Sequence, residues 1–206
     1  FDLAGPIKRA LVRATALGIY ELSINGKKVG NEYFAPGFTS YKHVLQYNEY
    51  DVTELLKAEN RMIAVVGGGW AVGRFTYSSK SKITCDRQAL LLELLVEYED
   101  GREEKIATDS SWQVTLEGNY RFGDFYDGET YDSTINLDEV SWKDADVYVP
   151  KFKVNLTRQY GPKVVRHEVF KPIAVFPAKN GRETIYDFGQ NFAGVVSLRI
   201  NGKKGQ

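Results

Sequence analysis

The pattern of apolar and polar positions along this chain is dominated by β-type signals. Tyr20, Leu22 and Ile24 alternate with Ile19, Glu21 and Ser23, and β-favouring residues run back from there to Ala10. Asn25-Gly26 closes the run and Lys27-Lys28-Val29 returns, so the spacing predicts a hairpin. Residues 88–99 are apolar on both faces in their first half, with Leu90, Leu92 and Leu94 on one side and Ala89, Leu91 and Leu95 on the other. That pattern predicts a central sandwich strand, followed by Asp100-Gly101 and a return over 102–107. Further strands are predicted at 62–66, 112–116, 164–170, 173–176, 183–188 and 194–200. Only residues 51–57 read as helical, with Asp51 or Thr53 as the cap. Many short strands with regular turns and almost no helix specify an all-β fold, an antiparallel β-sandwich.

At 206 residues the chain can bury roughly 70% of its extended surface without a staple. Lys plus Arg number 27 and Asp plus Glu number 27, so the basic surplus that phosphate binding requires is missing and nucleic acid is not an expected partner. No long uncharged apolar run is present, which excludes a transmembrane helix and a membrane partner of that kind. The single cysteine, Cys85, rules out an internal disulfide or a multi-thiolate zinc site, and His43 and His167 lie too far apart in sequence to suggest a histidine-rich one. The chain opens on Phe1 without a charged-then-apolar leader, which favours the cytoplasm. It ends in an Asn201-Gly202 turn pair with no returning strand, so it reads as a piece of a longer protein. Strand edges left open in this way predict a homodimer through edge pairing. Residues 141–150, and then Gly161-Pro162, read as a surface connection, dividing the chain into domains at 1–155 and 160–206.

Three segments carry candidate chemistry. Asp187-Phe188-Gly189 matches the metal-binding tripeptide of protein kinases, but no glycine-rich loop, strand lysine or catalytic loop accompanies it. Its expected role is a strand end followed by a glycine turn. Gly67-Gly68-Gly69-Trp70-Ala71-Val72-Gly73 follows a strand without nucleotide-binding spacing. Its glycines predict close approach of backbone, and Trp70 reads either as core or as an aromatic platform for the apolar face of a sugar. Residues 121–132 hold Asp124, Asp127, Glu129 and Asp132 among Phe122, Phe125, Tyr126 and Tyr131. These carboxylates could ligate calcium, form a glycosidase pair at Asp127 and Glu129, grip sugar hydroxyls, or bond to loop N–H groups. Cys85 has no histidine near it in sequence to activate the thiol.

In order along the chain, these segments resemble the non-catalytic N-terminal region of bacterial α-L-rhamnosidases. Residues 16–30 look like that family's first hairpin, and Pro36-Gly37-Phe38-Thr39-Ser40-Tyr41 resembles its P-G-[WF]-T-x-Y turn. Residues 50–56 resemble its Y-D-V-T-x-L-L segment, and Gly69-Trp70 its G-D-G-W loop, with Gly68 where the family has an acidic residue. Residues 126–132 are similar to Y-D-G-E-x-Y-D, and residues 187–194 to the D-F-G-Q-N-x-x-G signature that opens a following concanavalin-like sandwich. The resemblance implies a jelly-roll, galactose-binding-like sandwich, then the truncated start of a second sandwich. It also implies a parent enzyme that removes terminal α-L-rhamnose with inversion. The acid and base of that reaction lie in a downstream (α/α)₆ barrel, of which this chain contains no motif, so no catalytic residue is expected here and the implied partner is the rest of the enzyme. The alternative implied by the resemblance is a calcium-dependent module for L-rhamnose or rhamnosides, with Gly69, Trp70, Asp127, Glu129 and Asp132 as its binding residues. Calcium is the only candidate cofactor.

Overall fold

A computed structural model describes residues 1–76 and 80–203. The chain forms two compact units, Phe1–Val165 and Arg166–Gln206. The first apolar run is two strands rather than one: β1 (Ile7–Leu17) and β2 (Ile19–Ile24) belong to different sheets. The break falls at Gly18, where φ is +136° and a Cβ would sit 2.2 Å from the Gly67 carbonyl oxygen. No side chain fits there, so the switch between sheets requires glycine. The predicted hairpin follows: β2 turns through Asn25 and Gly26, both at positive φ, into β3 (Lys27–Lys28), with Ile24 opposite Lys27.

Next come β4 (Val44–Asp51), β5 (Met62–Gly67), a single helical turn α1 (Gly69–Val72), β6 (Ala89–Tyr98) and β7 (Glu103–Ala107). Short strands β8 (Gln113–Val114), β9 (Tyr120–Asp124), β10 (Gly128–Tyr131), β11 (Lys143–Asp144) and β12 (Asn155–Arg158) complete the first unit. A five-stranded sheet, ordered β12-β4-β1-β6-β7, packs against a three-stranded sheet, β3-β2-β5, across a shared apolar core. All pairs in these two sheets are antiparallel except β12, which runs parallel to β4.

The core depends on matching small residues with large ones. On the inward face of β1, Ala10, Val12, Ala14 and Ala16 stand opposite Val96, Leu94, Leu92 and Leu90 of β6. The alanines leave room for Tyr20, Leu22 and Ile24, which β2 buries from the facing sheet. Such interlocking gives the close packing on which core stability rests. The expected central strand is thus β6, flanked by β1 and β7, with its even-numbered residues inside.

The outer face of the large sheet carries one ion ladder across all five strands. Lys105 of β7 pairs with Glu93 of β6 at 2.6 Å, and Glu93 with Arg13 of β1 at 3.2 Å. Arg13 also pairs with Glu49 of β4 at 2.7 Å, and Glu49 with Arg158 of β12 at 3.1 Å. Signs alternate from edge to edge, so each inner charge has two opposite neighbours. Hydrogen bonds from Lys105 and Arg13 hold the Glu93 carboxyl below its usual range against the opposing effect of burial, and Arg13 does the same for Glu49.

Several expectations are corrected. The helix over 51–57 is one 3₁₀ turn, Thr53–Leu55, and Asp51 Oδ1 accepts from both the Thr53 N–H and hydroxyl. The strand over 112–116 shrinks to Gln113–Val114, paired with β11. In the second unit β13 (Ala174–Pro177) and β14 (Thr184–Asp187) lie where the pattern predicts strands, and they pair with each other antiparallel. Residues 164–170 and 194–200 are not strands; Val165 makes one isolated bridge to Glu32, and Val195 and Val196 are 83% and 84% exposed. A strand needs a continuous neighbour for its backbone N–H and C=O groups; residues 164–165 meet Glu32 and Tyr33 through a single bridge and one hydrogen bond, and no sheet pairing is described for residues 166–170 or 194–200. Asp187 ends β14, and its Oδ1 accepts from the N–H of Gly189, whose φ is +78°: a turn, as expected.

Two measurements check this account. Gly18→Ala is expected to destabilise by about 2 kcal/mol or more in urea unfolding. Gly26→Ala, at φ +77° with open space around it, is expected to cost about 1 kcal/mol; equal effects would remove the special role of the crossing. Arg13→Met is expected to lose about 1 kcal/mol at pH 7. Because the folded pKa values of Glu49 and Glu93 are depressed, the ladder contributes fully above the unfolded carboxylate range and is lost as pH falls through the folded values. The gap between wild type and variant should therefore narrow below about pH 4; a gap independent of pH would show that Arg13 acts by packing alone.

Candidate functional site

The loop after β5 is shaped by glycines, and what they approach is the backbone of the sheet switch. A Cβ on Gly69, at φ +49°, would lie 2.7 Å from the Ile19 side chain and 3.1 Å from the Ile19 nitrogen. At Gly68 it would lie 3.0 Å from the Gly73 nitrogen, too close for an acidic side chain without local adjustment. Gly69 is buried and serves this approach. The resulting turn, α1, sets Trp70 half-buried above a small second core formed by Leu17, Tyr41, Leu45, Ala71 and Cys85.

Trp70 is the centre of an aromatic cluster that three loops assemble. Phe125 lies 4.6 Å from it between ring centroids, and Phe34 and Phe38 each 6.1 Å at steep angles. Phe34 also meets Phe125 edge-on at 5.2 Å, and Phe38 meets Phe75 at 5.7 Å. Each pair adds roughly 0.5–1.5 kcal/mol beyond burial. That gain offsets the strain at Phe34, which holds φ +59°. Phe38 remains 60% exposed, so the cluster is also a surface.

The acidic segment is the β9–β10 hairpin, and its carboxylates mostly bind their own surroundings. Asp124 Oδ2 accepts from the Arg74 N–H at 2.6 Å, while Oδ1 accepts from the N–H groups of Tyr126 and Asp127. These bonds outweigh burial and hold the Asp124 carboxyl below its usual range. Asp127 pairs with the Arg74 guanidinium at 2.8 Å, and that guanidinium also lies over the Tyr126 ring. Trp70 and Asp127 are therefore brought to one place, through Phe125 and Arg74. Glu129 and Asp132 are placed differently: Glu129 is exposed on β10 opposite Gly123, and Asp132 Oδ1 accepts from the N–H and hydroxyl of Thr134.

Beside Trp70 lies a depression of about 280 Å³. Phe34, Phe38 and Trp70 supply its aromatic wall, and Glu32, Gln46 and Gln159 its polar groups. Nothing local in the sequence marks Glu32, Phe34, Gln46, Arg74 or Gln159, and Phe38 stands out only as part of a turn motif. Calcium takes six to eight oxygen ligands, several of them carboxylate. Among the described residues no three His, Cys, Asp or Glu side chains converge on one point, and Asp124 and Asp127 are already engaged. These residues do not fit calcium. Cys85 is buried, its thiol pushed up by that burial and by Asp86, which is the reverse of an activated nucleophile. No helix is long and apolar enough to cross a membrane among the described residues.

Known proteins are similar to this chain over nearly its whole length. An α-L-rhamnosidase of Formosa agariphila is 32% identical over all of the chain, and one of Streptomyces avermitilis 34% identical over 97% of it. The chain spans only 23% and 20% of those two proteins. Among solved structures, the native α-L-rhamnosidase of Aspergillus terreus superposes with a TM-score of 0.80 at 36% identity, covering 93% of this chain and 23% of that one. The Streptomyces avermitilis enzyme in complex with L-rhamnose superposes with a TM-score of 0.79 at 31% identity, over 88% of this chain and 18% of its own. The family profile described as the α-L-rhamnosidase N-terminal domain matches residues 5–175, which takes in the glycine crossing, the Trp70 loop and the acidic hairpin alike. The chain belongs to the α-L-rhamnosidase N-terminal domain family.

Proposed function

We propose that this chain is a non-catalytic accessory module of an enzyme that removes terminal α-L-rhamnose from glycosides. The observation that carries this reading is the state of its carboxylates. A glycosidase general acid needs a raised pKa. Glu32, Glu49, Asp51, Asp86, Glu93, Asp100, Asp109 and Asp124 are all displaced downward from the ordinary carboxylate range. Asp127, half of the acid/base pair that the sequence suggests, pairs with Arg74. On the same reading residues 160–206 are the opening of a concanavalin-like sandwich, and the main partner is the remainder of the rhamnosidase. Dimerisation by strand pairing has less support, since the edge strand β7 presents Glu103, Glu104 and Lys105.

The depression beside Trp70 favours a second role, weak binding of a rhamnoside. An aromatic wall next to a buried carboxylate and two amides is what a sugar ring needs, with its apolar face on a ring and its hydroxyls on fixed polar groups. The L-rhamnose complex of the Streptomyces avermitilis relative names the sugar to try first.

With 4-nitrophenyl α-L-rhamnopyranoside, the 206-residue chain should release no nitrophenol above the buffer rate. Turnover that disappears in Asp127→Asn would overturn the accessory reading. In a ¹⁵N NMR titration, millimolar L-rhamnose should shift the Trp70 indole equally with calcium and with chelator, and Trp70→Ala should abolish saturable shifts elsewhere in the depression. Shifts that vanish with chelator would restore calcium, and no shifts at all would leave only the structural role.

A further inference from the structure

Residues 159–165 leave β12 and run back over the sandwich with little apolar burial to hold them: Tyr160 is 82% exposed and Val164 53%. Polar contacts hold them instead. The Gln159 N–H donates to the Tyr47 carbonyl at 2.9 Å, and Gln159 Oε1 accepts from Asn48 Nδ2. Lys163 Nζ donates to Glu32 Oε1 at 2.9 Å, the Tyr33 N–H donates to the Val164 carbonyl at 2.8 Å, and Val165 forms a β-bridge with Glu32. Three of these contacts involve Glu32 or its neighbour Tyr33.

The Glu32 side chain is only 4% exposed, so its charge is sustained by what surrounds it. Lys163 faces it from the segment, and Tyr50 from β4 through its hydroxyl. Tyr20 of β2 lies in the same network, hydrogen-bonded to Tyr50 and Asn48, and burial pushes both tyrosines up so that they stay neutral. Asn48 Nδ2 and the Asn31 N–H complete the shell. Removing one partner of a buried, hydrogen-bonded charge pair leaves the other uncompensated, so such a contact is strong while complete and fails when one member is lost. The same segment supplies Gln159, Gly161, Pro162 and Val164 to one side of the depression beside Trp70.

We propose that Glu32 is the clasp of a releasable strap, residues 159–165, whose docking completes the depression beside Trp70. Burial of Glu32 opposes its charge, but Lys163, Tyr50 and a backbone N–H together hold its carboxyl below the usual range. The clasp is therefore closed above the ordinary glutamate range and opens as pH falls through the depressed value. This concerns the docking of the strap and stands whether or not the depression takes a sugar.

Amide hydrogen exchange by NMR on the 206-residue chain tests it, with the Gln159 and Tyr33 amides as strap reporters and Val12 and Leu94 as reporters of the sandwich. In Glu32→Gln, protection at Gln159 and Tyr33 should fall at least tenfold while Val12 and Leu94 keep theirs. Lys163→Met, at a half-exposed side chain, should act in the same direction and serves as the test if the first variant does not fold. Wild type below about pH 3 should show the same selective loss. Unchanged protection at the two strap amides, or an equal fall at all four, would overturn the proposal.

Discussion

Between Leu17 and Ile19 the chain leaves one sheet and enters the facing one, with Gly18 pressed against the carbonyl of Gly67. That contact fixes the distance between the end of β1 and the end of β5, and so fixes where the loop after β5 begins. Gly69 then seats on the Ile19 backbone, and the single turn of α1 aims Trp70 at loops that arrive from residues 34–38 and 125. The aromatic cluster is thus a consequence of two glycines meeting at a sheet switch. A side chain at Gly18 would push the two sheets apart at the one corner where both also carry the candidate site.

The two faces of the large sheet are held by different physics. Inside, alanines of β1 against leucines of β6 make a packed layer whose stability comes from apolar burial. Outside, the Lys105–Glu93–Arg13–Glu49–Arg158 ladder adds modest stability per pair. Its greater effect is on register and solubility. Displacing β1 by one residue against β6 would turn its alanines outward and set Arg13 against an apolar layer, so core and ladder enforce the same alignment.

Local features of this fold were legible in the sequence, and features that depend on distant partners were not. The Asn25-Gly26 hairpin and the apolar run of β6 are set by residues adjacent in the chain, and the structure has them where the pattern put them. The break at Gly18 was missed because β-favouring residues continue through it; only the Gly67 carbonyl, 49 positions away, makes the glycine necessary. The segments 164–170 and 194–200 carry β-favouring residues, but composition supplies no strand partner. The glycine run before Trp70 correctly announced close backbone approach without saying to what. Asp127 was legible as a loop carboxylate; its partner Arg74, 53 residues earlier, carried no local signal. The ion ladder was invisible for the same reason, since it draws one residue from each of five strands.

A carboxylate can hold a proton ready for transfer, or it can hold a loop in place, and its surroundings decide which. Proton transfer near neutral pH requires that the charged form be made costly, by burial without compensation or by a second negative charge. Several acidic residues of this domain meet charged or hydrogen-bonding partners instead. Asp124 collects three backbone N–H groups, Asp127 a guanidinium, Asp132 a hydroxyl and an N–H, and the well-buried Glu32 an ammonium. As acceptors, Asp124 and Asp127 join the hairpin to the Trp70 loop, and Glu32 joins the strap to the sandwich. These polar groups therefore do the work of shape, presenting half-exposed aromatic rings at a fixed place.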